Sequence, residues 1–75
     1  MVLSDEEIKK HIVDELYWDT RVDASKVLVK VENGRVTLTG TVPSYPARVR
    51  AGEDAYRIQD VAWVDNRISV QHPPV

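Results

Sequence analysis

Val27-Leu-Val-Lys-Val-Glu-Asn-Gly-Arg-Val-Thr-Leu-Thr-Gly-Thr-Val42 is the stretch that decides the fold. Two alternating runs flank Asn33-Gly34, and a two-residue type I′ turn needs φ > 0 at both central positions, which Asn and Gly tolerate best. The turn sets the register: Glu32 opposite Arg35, Val31 opposite Val36, Val29 opposite Leu38 and Val27 opposite Gly40. The apolar partners then share one face. The other face carries Leu28, Lys30 and Glu32 against Arg35, Thr37, Thr39 and Thr41, so the spacing predicts a sheet with one wet side.

Upstream, Ser4-Asp5-Glu6-Glu7 fits a capping box, with Leu3 and Ile8 as its staple. Ile8, Ile12 and Leu16, with Val13 beside them, predict an amphipathic helix over about residues 5–17. Asp5 with Lys9 and Glu6 with Lys10 stand at i, i+4 on its solvated face. Residues 18–25 lose the helical period and gather turn formers, so they read as a loop in which Val22 plugs the core edge.

Downstream of the hairpin, Ser44 caps a second helix with Pro46 in its first turn, running to about Ile58. Its expected inward face is Val49, Gly52, Ala55, Tyr56 and Ile58, with Arg50 to Asp54 and Glu53 to Arg57 as i, i+4 pairs outside. Residues 61–70 alternate again, Val64, Ile68 and Val70 against Trp63, Asp65, Arg67 and Ser69, which predicts a third strand stopped by His72-Pro73-Pro74 with a mobile tail. The expected fold is α+β in the order α-β-β-α-β. A three-stranded sheet carries both helices on one face, in a single domain over residues 1–75 with an ordered core at about 4–71.

Composition narrows the function. At 75 residues there is room for two helices on a sheet but little for an enclosed active site. Charged residues at 29% and hydrophobic ones at 43% fit a folded domain, and no apolar run reaches the ~18 residues a membrane span requires. Residues 1–25 carry a charge of −4 and residues 26–75 a charge of +2. Neither is the strongly basic footprint of a nucleic-acid binder. Without cysteine there is neither disulfide nor thiolate chemistry, and the redox compartment stays open. Asp5, Glu6 and Glu7 occupy the place of a signal peptide's basic and apolar regions. The chain is therefore expected to be cytoplasmic, or else a part of a longer exported protein and so periplasmic or envelope-associated.

Catalytic and metal-binding constellations are not expected. His11, Asp14, Glu15 and Glu7 lie within reach on one helix, but without H-E-x-x-H or a second nearby histidine they read as an exposed acidic face. No nucleophile has a base at a useful spacing, and there is no Gly-rich phosphate loop. The sequence points away from an enzyme and calls for no cofactor. The binding candidates are aromatic and basic. Trp63 falls on the polar strand face with Arg67 and near Leu28, and Trp18 closes the first helix. Each tryptophan either covers a sheet edge or serves a binding face for lipid headgroups, glycan or a partner domain. Arg48, Arg50 and Arg57 on the second helix form either a salt-bridged surface or a local basic patch.

With these residues in view, the chain resembles the BON domain family, named for bacterial osmotically inducible and nodulation proteins. The likeness rests on the Asp5-x-x-Ile8 start, on V-x-V-x-N-G-x-V-T-L-T-G-x-V at Val29 to Val42, and on D-V-x-x-V-x-N-x-I-x-V at Asp60 to Val70. By position Asn33 and Gly34 are the family's turn, Gly40 its second-strand glycine and Asn66 its third-strand asparagine, all of them fold residues. The resemblance implies a non-catalytic module that binds phospholipid or envelope components, often in osmotic-stress proteins. The alternative is a protein-interaction or self-association unit within a larger bacterial stress protein. One departure stands out: Asp60 occupies the place of the family's usual glycine before the last strand. It is expected to take the left-handed conformation there.

Overall fold

The computed structural model describes residues 2–71, so the strand stop and tail expected at 72–75 lie outside the described residues. Helix α1 (Asp5–Trp18) starts on a complete capping box: Ser4 Oγ accepts the Glu7 N–H at 3.2 Å, and the Glu7 carboxylate accepts the Ser4 N–H at 3.2 Å. Ile8, Ile12 and Leu16 are buried. Val13 is 48% exposed, so the buried stripe is narrower than the periodicity suggested. Val22, in the following loop, closes the core as expected.

Strands β1 (Val27–Glu32) and β2 (Arg35–Val42) pair antiparallel in the predicted register, from Glu32 with Arg35 to Val27 with Gly40. Asn33 at φ 52° and Gly34 at φ 77° form the turn. Gly40 adopts φ 111°, and a side chain there would run into the Lys26 carbonyl oxygen. Only glycine suits that site, because both the backbone conformation and the neighbouring chain exclude a Cβ.

The expected third strand forms in two pieces, β3 (Trp63–Asn66) and β4 (Ser69–Val70), both parallel to β2. Val36 faces Val64 and Thr41 faces Ser69, so the two pieces continue one line. The break at Arg67 and Ile68 has a local cause. Asn66 Oδ1 accepts the Ile68 N–H at 3.2 Å in a tight side-chain turn, alongside the stretch of β2 where Gly40 takes φ 111°. Strand β2 is central, in the order β1-β2-β3.

Helix α2 (Tyr45–Tyr56) is capped by Ser44, whose Oγ accepts the Ala47 N–H at 3.3 Å, with Pro46 in the first turn. Its inward face matches the expected one at Ala55 and only in part elsewhere. Ala47, Ala51, Asp54 and Ala55 are buried, whereas Val49 and Tyr56 are exposed and Gly52 and Ile58 half-buried. The reason is proximity: a Cβ on Gly52 would stand 3.0 Å from Asn66 Nδ2, so the helix lies too close to the sheet for large side chains. The ion pairs shift as well. Arg50 meets Glu53 at 3.4 Å and Arg57 meets Asp54 at 4.0 Å, both at i, i+3 rather than i, i+4. Both helices bury their inward residues in one cluster with Val36, Leu38, Val42, Val64 and Ile68. Among the described residues the opposite side of the sheet carries no helix.

Candidate functional site

The uncovered sheet side is organised by the hairpin register. Arg35 lies between Glu32 and Trp63, and Thr37 between Lys30 and Asp65, while Thr39 pairs with Leu28. Arg67 donates its backbone N–H to the Leu38 carbonyl at 2.8 Å, which continues this line past the end of β3. The result is a central row of threonines flanked by charge, with Trp63 57% exposed and Leu28 70% exposed. These two do not meet as expected. They sit two strands and four residues apart, about 16 Å by strand geometry.

The hairpin tip is anchored from below. Asp5 accepts the Asn33 N–H at 2.8 Å and the Gly34 N–H at 3.1 Å, and the Gly34 carbonyl accepts the Ala62 N–H at 2.9 Å. Consecutive turn amides make a small anion nest, which a carboxylate at the start of α1 fills. This engagement replaces the local pairing of Asp5 with Lys9 expected from spacing. Asp60 takes φ 70°, the left-handed conformation expected of it, and its Oδ2 accepts the Leu3 N–H at 2.7 Å.

The four candidate arginines are placed in three different settings. Arg48 is half-buried and points into the fold: its Nε donates to the Ile68 carbonyl at 2.8 Å and its Nη2 to the Asn66 carbonyl at 3.0 Å. Asn66 answers by donating Nδ2 to the Arg48 carbonyl at 2.7 Å. Arg50 lies on α2 and Arg57 caps its C-terminal end, with the acidic partners given above. Arg67 is exposed on the sheet side and donates to Asp65 at 2.8 Å.

Trp18 ends α1 about 20 Å along the helix axis from Asp5. It is 72% exposed, donates Nε1 to Asp14 at 3.1 Å and packs edge-on against Tyr17 with ring centroids 5.4 Å apart. The structure therefore leaves the two tryptophans in separate places. A further group was not visible in the sequence: Asp54 of α2 is buried beside Asp19 of the α1 exit, next to a shallow cleft of about 290 Å³ lined also by Glu15, Trp18, Arg21 and Arg57. Burial, then the Asp19 carboxyl and its charge, push Asp54 up to about 7. Asp19 is held well below the ordinary range, first by the neighbouring Asp54 carboxyl and then by the Arg21 N–H and guanidinium. A lone aspartate at helical spacing from arginine gave no sign of this, because the partner lies in a loop 35 positions away.

His11 and Asp14 are exposed on α1. Among the described residues no group of three or more His, Asp or Glu side chains stands close enough to hold a metal ion, and no helix is long and apolar enough to cross a membrane. What the arrangement offers is surface: a wet sheet face with an exposed indole among cations, and an aromatic end on α1. Compared with known families, the chain matches the BON domain model over residues 4–72, nearly its whole length. No curated protein matches it.

Proposed function

The chain belongs to the BON domain family, and from that premise we propose that it is a non-catalytic binding module, attaching its protein to anionic phospholipid or another envelope component through the open face of its sheet. Residues 4–71 form the working unit. The observation that carries the reading is the exposed Trp63 in register with Arg35, on a face that also holds Lys30 and Arg67. Against these three cations stand Glu32 and Asp65, so the face carries one net positive charge while the chain carries −2. Indoles sit well at headgroup depth, and each basic side chain near an anionic surface is worth about 1 kcal/mol. Binding by one copy is therefore weak and salt-sensitive, and gains from a second module or partner. Arg50, Arg57 and Trp18 lie off this face and serve as the comparison set; Arg48 contributes by holding β3 and β4 against α2.

Co-sedimentation with vesicles tests the proposal. Recovery with anionic but not neutral vesicles at low salt, falling as salt rises, is the expected result; no recovery with either removes lipid as the ligand. A protein-interaction reading is favoured by a separate observation, the unpaired outer edge of β1 beside the exposed Leu28. Sedimentation velocity of the domain alone distinguishes self-association by its concentration dependence.

A further inference from the structure

The join between the α1 exit and α2 is made by two carboxyl groups. Asp54 is 1% exposed and the Asp19 side chain 7% exposed, and each leaves its Oδ2 buried with no hydrogen-bond donor. Their other oxygens are engaged: Asp19 Oδ1 accepts from Arg21 Nε at 3.1 Å, and Asp54 Oδ1 lies 4.0 Å from Arg57 Nη1. Two unpartnered buried carboxylate oxygens beside one cleft are costly if both groups are ionised, since neither is a donor and like charges repel. A cation is poorly suited to the gap, because guanidinium groups already flank both carboxyls. A single shared proton satisfies both oxygens at once.

We propose that Asp19 and Asp54 share one proton and so form a pH-sensitive latch that holds the Trp18-to-Arg21 turn against α2. The groups facing the pair from the surrounding elements are Glu15 of α1, Arg21 of the turn and Arg57 at the C-terminal cap of α2. Glu15 favours retention of the proton and Arg57 opposes it. The same turn carries Asp19 contacts to the Arg21 N–H at 3.0 Å and, from its carbonyl, to the Val22 N–H at 3.0 Å, so its position depends on where Asp19 is held. Loss of the proton leaves two buried negative charges and loosens the turn.

The sign follows from linkage. The folded pair keeps a proton up to about pH 7, whereas an unfolded aspartate releases it near pH 4, so the folded state binds more protons in between. The stability contributed by the retained Asp54 proton is lost as pH rises from about 4 toward 7, while the part contributed by the depressed Asp19 is lost as pH falls below about 4, so the pair contributes most near pH 4. The folding constant falls by up to about tenfold per pH unit in that window. Asp54→Asn supplies a permanent donor to Asp19, and Asp19→Asn supplies one to Asp54.

The test combines two readouts on the full chain. Carboxyl carbon shifts followed by NMR should show one proton leaving the pair between about pH 6 and 8. Urea melts at pH 5 and pH 8 should show a loss of stability in the wild type that is absent in Asp54→Asn or Asp19→Asn. Both carboxyls fully ionised at pH 5 would overturn the proposal, and so would a pH dependence of stability that both variants retain. If neither variant folds, the carboxyl titration of the wild type decides alone.

Discussion

Asn66 and Arg48 hold each other's backbones. The Asn66 amide donates to the Arg48 carbonyl at 2.7 Å, and the Arg48 guanidinium donates to the Asn66 carbonyl at 3.0 Å and to that of Ile68 at 2.8 Å. This reciprocal clasp ties α2 to the last strand where that strand is broken. Asn66→Ala should therefore lower stability by about 1–3 kcal/mol, the cost of leaving part-buried backbone groups unpaired. Arg48→Lys, which cannot span two carbonyls with a rigid fork, should also destabilise. Urea denaturation checks both; midpoints within error of the wild type would mean the clasp contributes nothing.

The hairpin tip gives a second prediction. Gly34→Val should destabilise strongly, because a β-branched residue at φ 77° is an outlier and a Cβ there already meets the Asp60 carbonyl oxygen at 3.2 Å. Asp5→Ala should cost about 1–3 kcal/mol by freeing two turn amides from a charged acceptor. Thermal melts of the two variants should fall in the order wild type, Asp5→Ala, Gly34→Val. A Gly34→Val domain melting with the wild type would contradict the turn.

Legibility followed the range of the interaction. The hairpin could be read because Asn33-Gly34 fixes register within the turn, and the capping box because Ser4 and Glu7 are neighbours on one helix end. The inward face of α2 could not, because alanines score low beside Val49 and Tyr56, and only the closeness of Asn66 explains why small residues face inward. Asp5, Asp19 and Arg48 were hidden for another reason. Their partners are 28 or more, 35 and 18 or more positions away, and for Asp5 helical spacing offered Lys9 as a nearer, wrong partner. On the candidate face, the polar alternation of Trp63 and Arg67 was visible, but the neighbourhood of Trp63 needed the strand order.

Asp60 tests how conformation and contact trade off. Its left-handed φ favours Gly or Asn, yet its carboxylate also holds the Leu3 N–H. Asp60→Asn, which keeps an acceptor and tolerates φ > 0, should stay within about 0.5 kcal/mol of the wild type. Asp60→Ala should lose about 1–2 kcal/mol, and Asp60→Gly should fall between them. Equal stability of all three variants in urea would show that neither effect operates.

The most direct measurement of the binding proposal follows one indole. In a Trp18→Phe background the only tryptophan left is Trp63, so its emission reports the sheet face alone. Titrated with anionic and with neutral vesicles at low salt, Trp63 emission should shift to the blue with the anionic ones only, and the shift should disappear with added salt and with Arg67→Glu. No shift with anionic vesicles, or one that survives Arg67→Glu but is lost in the Arg50→Glu and Arg57→Glu variants, would contradict binding through the open sheet face.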